Sequence, residues 1–127
     1  MKDKTTRSIE DYLEAIYLIK QKKQTVRVID VAKCLSVKLP SVTGALKRLS
    51  EKGFVIHTSY GEIELTEKGK QIGKETWEKH KLLFTLLHKV LGVSEDTAYK
   101  EACLIEHLIS KETEEKIKQF LEKHNHK

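Results

Sequence analysis

Pro40-Ser41-Val42-Thr43-Gly44-Ala45-Leu46-Lys47-Arg48-Leu49-Ser50-Glu51-Lys52-Gly53 is the stretch on which the fold turns. Proline is tolerated at the first position of a helix, where its missing N–H costs nothing, so Pro40 marks a start. Glycine readily adopts the left-handed conformation that ends a helix, so Gly53 marks a stop. Between them Val42, Ala45, Leu46 and Leu49 fall at relative positions 0, 3, 4 and 7 and form one apolar face. Ser41, Thr43, Gly44, Lys47 and Arg48 are left on the other. Small hydrogen-bonding residues early in a helix, with cations further along, suit a helix lying in the major groove of DNA.

The flanking residues agree. Upstream, Val26 to Leu35 reads as a short helix with Val28, Val31, Ala32 and Leu35 inward, and Ser36 to Leu39 as a turn. Downstream, Phe54 to Thr58 reads as a strand, Ser59-Tyr60-Gly61-Glu62 as a hairpin turn, and Ile63-Glu64-Leu65 as a second strand. A helix-turn-helix followed at once by a two-stranded ribbon is a winged helix. The other reading is a three-helix bundle with an ornamental hairpin. A helix from Ile9 to Lys22, capped by Ser8, precedes this unit; Ile9, Tyr12, Leu13, Ile16 and Tyr17 form its apolar stripe. Asp11 and Glu14 lie off the stripe, together on one side.

After the ribbon, Thr66 caps a long helix predicted to reach Val90. Its second half, Leu82-Leu83-Phe84-Thr85-Leu86-Leu87, is apolar nearly all round, which predicts cover from another subunit. Ser94 opens a helix to about Ile109, with Ala98, Ala102, Ile105, Leu108 and Ile109 as its apolar side. Ser110 caps a last helix, Lys111 to Leu121, and His124 to Lys127 reads as a frayed tail. The expected class is mainly α: a winged helix-turn-helix DNA-binding domain over residues 1–73, then a helical dimerisation domain over 74–127.

Bulk properties narrow the function. The 127 residues carry 39% hydrophobic and 34% charged residues, which fits a helix-rich chain with a modest core. The absence of a long apolar run or a signal-like start predicts a cytoplasmic protein. Two distant cysteines make no disulfide framework. The net charge is +5, but residues 23–76 carry a net +4 and residues 91–127 a net −2. A basic middle attracts polyanions such as DNA.

Cys103-Leu104-Ile105-Glu106-His107 carries the second chemical signal. On a helix, positions i, i+3 and i+4 share a face, so a thiol, a carboxylate and an imidazole converge. These are side-chain types that bind transition metals. Singly, Cys103 reads as a small core residue, and Glu106 and His107 as a solvated face; the triple at ligand spacing favours a metal. His80 heads an apolar row with Phe84, Leu87 and Leu91, where a hydrogen-bonded core histidine is the commoner reading. Cys34, His57, His88 and His124 read as structural.

The chain resembles the metal-dependent repressors of the diphtheria toxin repressor family, including their shorter relatives, the manganese transport regulators. The resemblance covers residues 8–121. It rests on Glu10-Asp11-Tyr12-Leu13-Glu14-Ala15-Ile16-Tyr17, Pro40-Ser41-Val42-Thr43, Leu65-Thr66-Glu67-Lys68-Gly69, His80-Lys81-Leu82-Leu83, and most specifically Glu101 to Ser110. It implies a homodimer reading a palindromic operator, a divalent metal corepressor, and metal-homeostasis genes as targets. It implies Asp11, Glu14, His80, Cys103, Glu106 and His107 as metal residues.

Two departures make the implied site a hybrid. Manganese-type relatives have Glu where this chain has Cys103, and iron-type repressors have Met where it has Asp11. Thiolate suits iron, cobalt, nickel or zinc, and carboxylates suit manganese, so Fe(II) or Mn(II) is the expected cofactor. An iron-type ancillary site would need acid and His positions that are Phe84 and Tyr99 here. The larger relatives add an SH3-like domain beyond the point where this sequence stops. Ser41 and Thr43 are the expected early groove contacts beside Pro40. Lys38, Lys47 and Arg48 are expected to hold phosphates, with Tyr60 and Gly61 at the wing tip. Gly44 replaces an iron-type Gln, which predicts weaker base reading there. A metal-dependent hydrolase and a regulator sensing a small organic ligand are the rivals; no separate general base, oxyanion donor or substrate pocket is visible.

Overall fold

The computed structural model describes residues 6–58 and 61–124. Among them are six helices, α1 (Arg7–Lys22), α2 (Val28–Leu35), α3 (Leu39–Glu51), α4 (Glu67–Thr85), α5 (Glu95–Ile105) and α6 (Lys111–Lys123). Two antiparallel strands, β1 (Val55–His57) and β2 (Ile63–Leu65), pair Val55 with Leu65, Ile56 with Glu64 and His57 with Ile63. The chain divides into two compact units, Met1–Glu75 and Thr76–Lys127.

The first unit is the winged helix. Its core holds Leu13 and Ile16 of α1, Val31 of α2, Val42, Leu46 and Leu49 of α3, Phe54, Val55 and Ile63. Burying a side chain of this size contributes about 1.5–3 kcal/mol, so the 3.6-residue stripes of the three helices decide how they pack. Gly53 takes φ +80° and turns the chain so that the Phe54 N–H reaches the Leu49 carbonyl at 2.9 Å. Thr66 then ties strand to helix. Its hydroxyl donates to the Gly53 carbonyl at 2.7 Å and accepts from the Gly69 N–H at 3.1 Å, capping α4 as the sequence predicts.

Several boundaries differ from the expected ones. Thr6, not Ser8, caps α1, accepting from the Ile9 N–H at 3.2 Å. Val26 and Arg27 stay out of α2 because they extend the ribbon: the Ile63 N–H bonds the Val26 carbonyl at 2.8 Å, and Arg27 bridges Glu62. The Asp30 carboxylate accepts from Lys23 Nζ at 2.8 Å and from the Arg27 N–H at 2.9 Å, and these bonds, the lysine's foremost, hold it below the usual carboxylate range. Leu39, not Pro40, is the first residue of α3; the next N–H is also without a helical partner, so Pro40 is still tolerated.

In the second unit α4 does not stay regular to Val90, because Leu86–Val90 forms a π-helical turn. The His88 Nδ1 lies 2.8 Å from the Val93 carbonyl oxygen beyond it. Ser94 and Ser110 cap α5 and α6, accepting from the N–H of Thr97 at 3.4 Å and of Thr113 at 3.1 Å. α5 ends at Ile105, four residues short of Ile109, because the extended backbone that Ser110 needs as a cap cannot continue a helix. The Leu108 N–H closes a tighter turn onto the Ile105 carbonyl at 2.8 Å. Leu108 is consequently 82% exposed rather than inward, and the buried line of α5 is Ala98 and Ala102, continued by Glu106 just past its end. α6 runs two residues past Leu121, and residues 125–127 of the tail lie outside the described residues. Among the described residues no helix is long and apolar enough to cross a membrane.

Candidate functional site

Two functional surfaces can be built from the residues upward, one in each unit. In the second, His80 near the middle of α4 is 3% exposed. Its ring stacks on Trp77 with centroids 5.2 Å apart and planes at 11°, and meets Tyr99 edge-on at 4.7 Å. Trp77 precedes His80 by one helical turn, so the i, i+3 spacing carried a signal that the sequence reading passed over. Held this way, the His80 Nδ1 lies 3.1 Å from Glu106 Oε2 and 3.7 Å from Cys103 Sγ. The His107 Nε2 lies 3.4 Å from Glu106 Oε1. Four of the six expected metal residues therefore form one cluster, and His80 is in it.

Glu106 is the unusual member. Its side chain is fully buried, and Oε1 has no hydrogen-bond partner among the described residues. A buried carboxylate oxygen left unpaired costs roughly 1–3 kcal/mol or more, so such groups are rare without a compensating partner. Imidazole, thiol and carboxylate together form a donor set suited to a first-row divalent ion, and the orphaned oxygen fits a cation in this place. Glu106 joins the cluster although α5 ends one residue before it, because it still has helical backbone and its N–H bonds the Ala102 carbonyl at 3.0 Å.

Asp11 and Glu14, the other two expected metal residues, are half-buried on α1 in the first unit. The Asp11 Oδ2 is 3.8 Å from Arg7 Nε. Cys34, expected to be structural, is an exposed residue of α2; packing about its sulfur pushes the thiol up, and the Glu14 carboxylate adds to this. His57 is exposed, while His124 stacks on Phe120 at 4.2 Å.

The second surface is the outer face of α3. Lys38, Pro40, Ser41, Thr43, Lys47 and Arg48 are all exposed, while Val42, Ala45, Leu46 and Leu49 are buried beneath them. The Thr43 hydroxyl donates to the Leu39 carbonyl at 3.1 Å. Gly61 is half-buried in the wing, and Tyr60 lies outside the described residues. A solvent-facing helix with cations and small hydroxyls, backed by a ribbon, matches the shape of a major groove.

A winged helix-turn-helix in one chain with a unit whose buried donors suit a transition metal defines a class, the DNA-binding regulators that respond to a metal ion. Residues 4–63 match the iron dependent repressor N-terminal DNA binding domain, and residues 66–127 match the iron dependent repressor metal binding and dimerisation domain. The chain belongs to the diphtheria toxin repressor family of metal-dependent transcriptional repressors.

It is 43% identical over 119 residues to an uncharacterised helix-turn-helix transcriptional regulator of Methanocaldococcus jannaschii, covering 93% of this chain and 95% of that one. It is 40% identical over 106 residues to the transcriptional regulator MntR of Bacillus subtilis, covering 84% of this chain and 74% of that one. The structure of the manganese regulator SloR superposes with a TM-score of 0.81 at 28% identity, covering 93% of this chain. This chain spans 55% of the length of that structure. Neither the hydrolase nor the organic-ligand reading is favoured by these relatives.

Proposed function

We propose that this regulator binds a palindromic operator as a homodimer when loaded with Fe(II) or Mn(II), and so represses metal-homeostasis genes in the cytoplasm. It acts through binding alone, without catalysis. The observation that carries this reading is the buried Glu106 carboxylate among His80, His107 and Cys103, with one oxygen accepting no hydrogen bond among the described residues.

Asp11 and Glu14 complete the ligand set in this proposal, as the family resemblance implies. Asp11, Glu14 and Glu106 would hold a divalent ion, which would supply the positive charge that offsets repulsion among their carboxylates. Because α1 belongs to the DNA-reading unit, holding Asp11 and Glu14 favours one arrangement of the two recognition helices. Their spacing then approaches one turn of DNA, about 34 Å. The ion stabilises that arrangement only to the extent that it binds it more tightly than the alternatives. On DNA, Ser41, Thr43 and Pro40 enter the groove, Lys38, Lys47 and Arg48 supply positive charge, and Tyr60 and Gly61 approach the backbone from the wing. Cys103 biases the site toward softer ions and Asp11 toward harder ones.

The test is Glu106→Gln, measured by fluorescence anisotropy on an operator selected from random duplex DNA, with and without Mn(II) or Fe(II). The amide keeps the shape but loses the charge, and metal-stimulated binding is expected to disappear while circular dichroism stays unchanged. Undiminished metal stimulation in the variant would sink the proposal.

A further inference from the structure

Gly44 leaves a gap in the middle of the exposed face of α3. Apart from its chain neighbours and the helix's own backbone, the one atom among the described residues within 4 Å of the point where its Cβ would stand is Arg48 Nη1, at 3.8 Å. Arg48 is exposed, one helical turn further on, and its guanidinium folds back over the position the missing side chain vacates. Side chains on a helix lean toward its N-terminus, so this direction is the relaxed one. Among the described residues no side-chain hydrogen bond or ion pair holds that guanidinium. The neighbouring Thr43 has its hydroxyl engaged by the Leu39 carbonyl, which leaves its methyl group for outward contact.

A base edge lying beneath position 44 therefore meets no side chain of that residue. It meets the end of Arg48 instead. A guanidinium is a planar fork whose N–H groups match the O6 and N7 acceptors of guanine in the major groove, whereas a phosphate contact needs only charge. We propose that Arg48 reads a guanine through the space left by Gly44, one in each operator half-site, and is a specificity-determining residue rather than only a phosphate anchor. The inference rests on α3 being the DNA-reading helix.

The test uses the full chain with Mn(II) and a random-sequence duplex pool, followed by competition with single-base variants of the selected sequence. Wild type is expected to select a guanine at one position of each half-site. Arg48→Lys keeps the charge but lacks the fork, and is expected to lose roughly ten- to hundredfold discrimination at that position alone. Gly44→Gln fills the gap and is expected to change the preference at the same base pair. An unchanged preference in Arg48→Lys or Arg48→Ala, with affinity lowered evenly across sequences, would overturn the inference and leave Arg48 a phosphate contact. An unchanged preference in Gly44→Gln would overturn the role of the gap. If wild type selects no sequence at all, the DNA-reading function of α3 fails, and this inference with it.

Discussion

Gly73 of α4 and Leu13 of α1 meet backbone to backbone: a Cβ on Gly73 would fall 2.5 Å from the Leu13 carbonyl oxygen and 3.0 Å from the Tyr17 Cβ. Gly69, one turn earlier on α4, is pressed in the same way onto the Phe54 carbonyl. The start of α4 thus presents a bare strip to the winged helix. Leu13 lies between Asp11 and Glu14 in sequence, so this packing also fixes the turn of α1 that carries them.

Gly73→Ala is expected to lower stability by about 1–3 kcal/mol, because the methyl group meets backbone that cannot step aside. Urea unfolding followed by circular dichroism reads this directly. A variant as stable as wild type would mean that the two helices separate freely.

Cys103→Glu is expected to shift the preference among ions. Cys103 Sγ lies 3.7 Å from His80 Nδ1, and as a ligand it would be soft where a carboxylate in its place would be hard. Anaerobic calorimetry should show weaker Fe(II) and Zn(II) binding and Mn(II) binding that is retained or improved. Fe(II) affinity that survives the change would remove Cys103 from the ligand set.

Leu108→Asp is expected to weaken the homodimer. Leu108 is 82% exposed, and Leu91 and Leu104 of the same unit are 64% and 47% exposed. Burying such a leucine at a subunit boundary contributes about 1.5–3 kcal/mol, and a two-fold interface counts it twice. Sedimentation velocity should show the dissociation constant raised by at least about tenfold. An unaltered dimer would assign the contact to another face.

The winged helix was legible because its signals are local: the stripe of Val42, Ala45, Leu46 and Leu49, the stop at Gly53, and two short alternating strands. Thr66, Ser94 and Ser110 were legible as caps for the same reason. Less visible were features decided by distant partners. Nothing near Val26 announces that its carbonyl belongs to the ribbon. Nothing at Gly69 or Gly73 distinguishes a close approach from a weak helix position. Extending α5 to Ile109 followed from apolar residues at helical spacing, but the cap at Ser110 required the helix to end earlier. That ending also reassigned Leu108 from core to surface. Within the cluster, Cys103, Glu106 and His107 were visible from spacing, whereas His80 entered only through family likeness, because a buried histidine in an apolar row has the same pattern whether or not it binds an ion.

Glu106 Oε1 is buried and accepts no hydrogen bond among the described residues, which bears on stability as well as on binding. On the proposed reading, a cation held at this cluster would offset the cost of burying an oxygen that accepts no hydrogen bond among the described residues. An ion present at a hundred times its dissociation constant stabilises the folded state by about 2.7 kcal/mol. The lifetime of the molecule and its message are then set by the same event. On the proposed reading, the metal-free form that does not bind DNA is therefore also the less stable one.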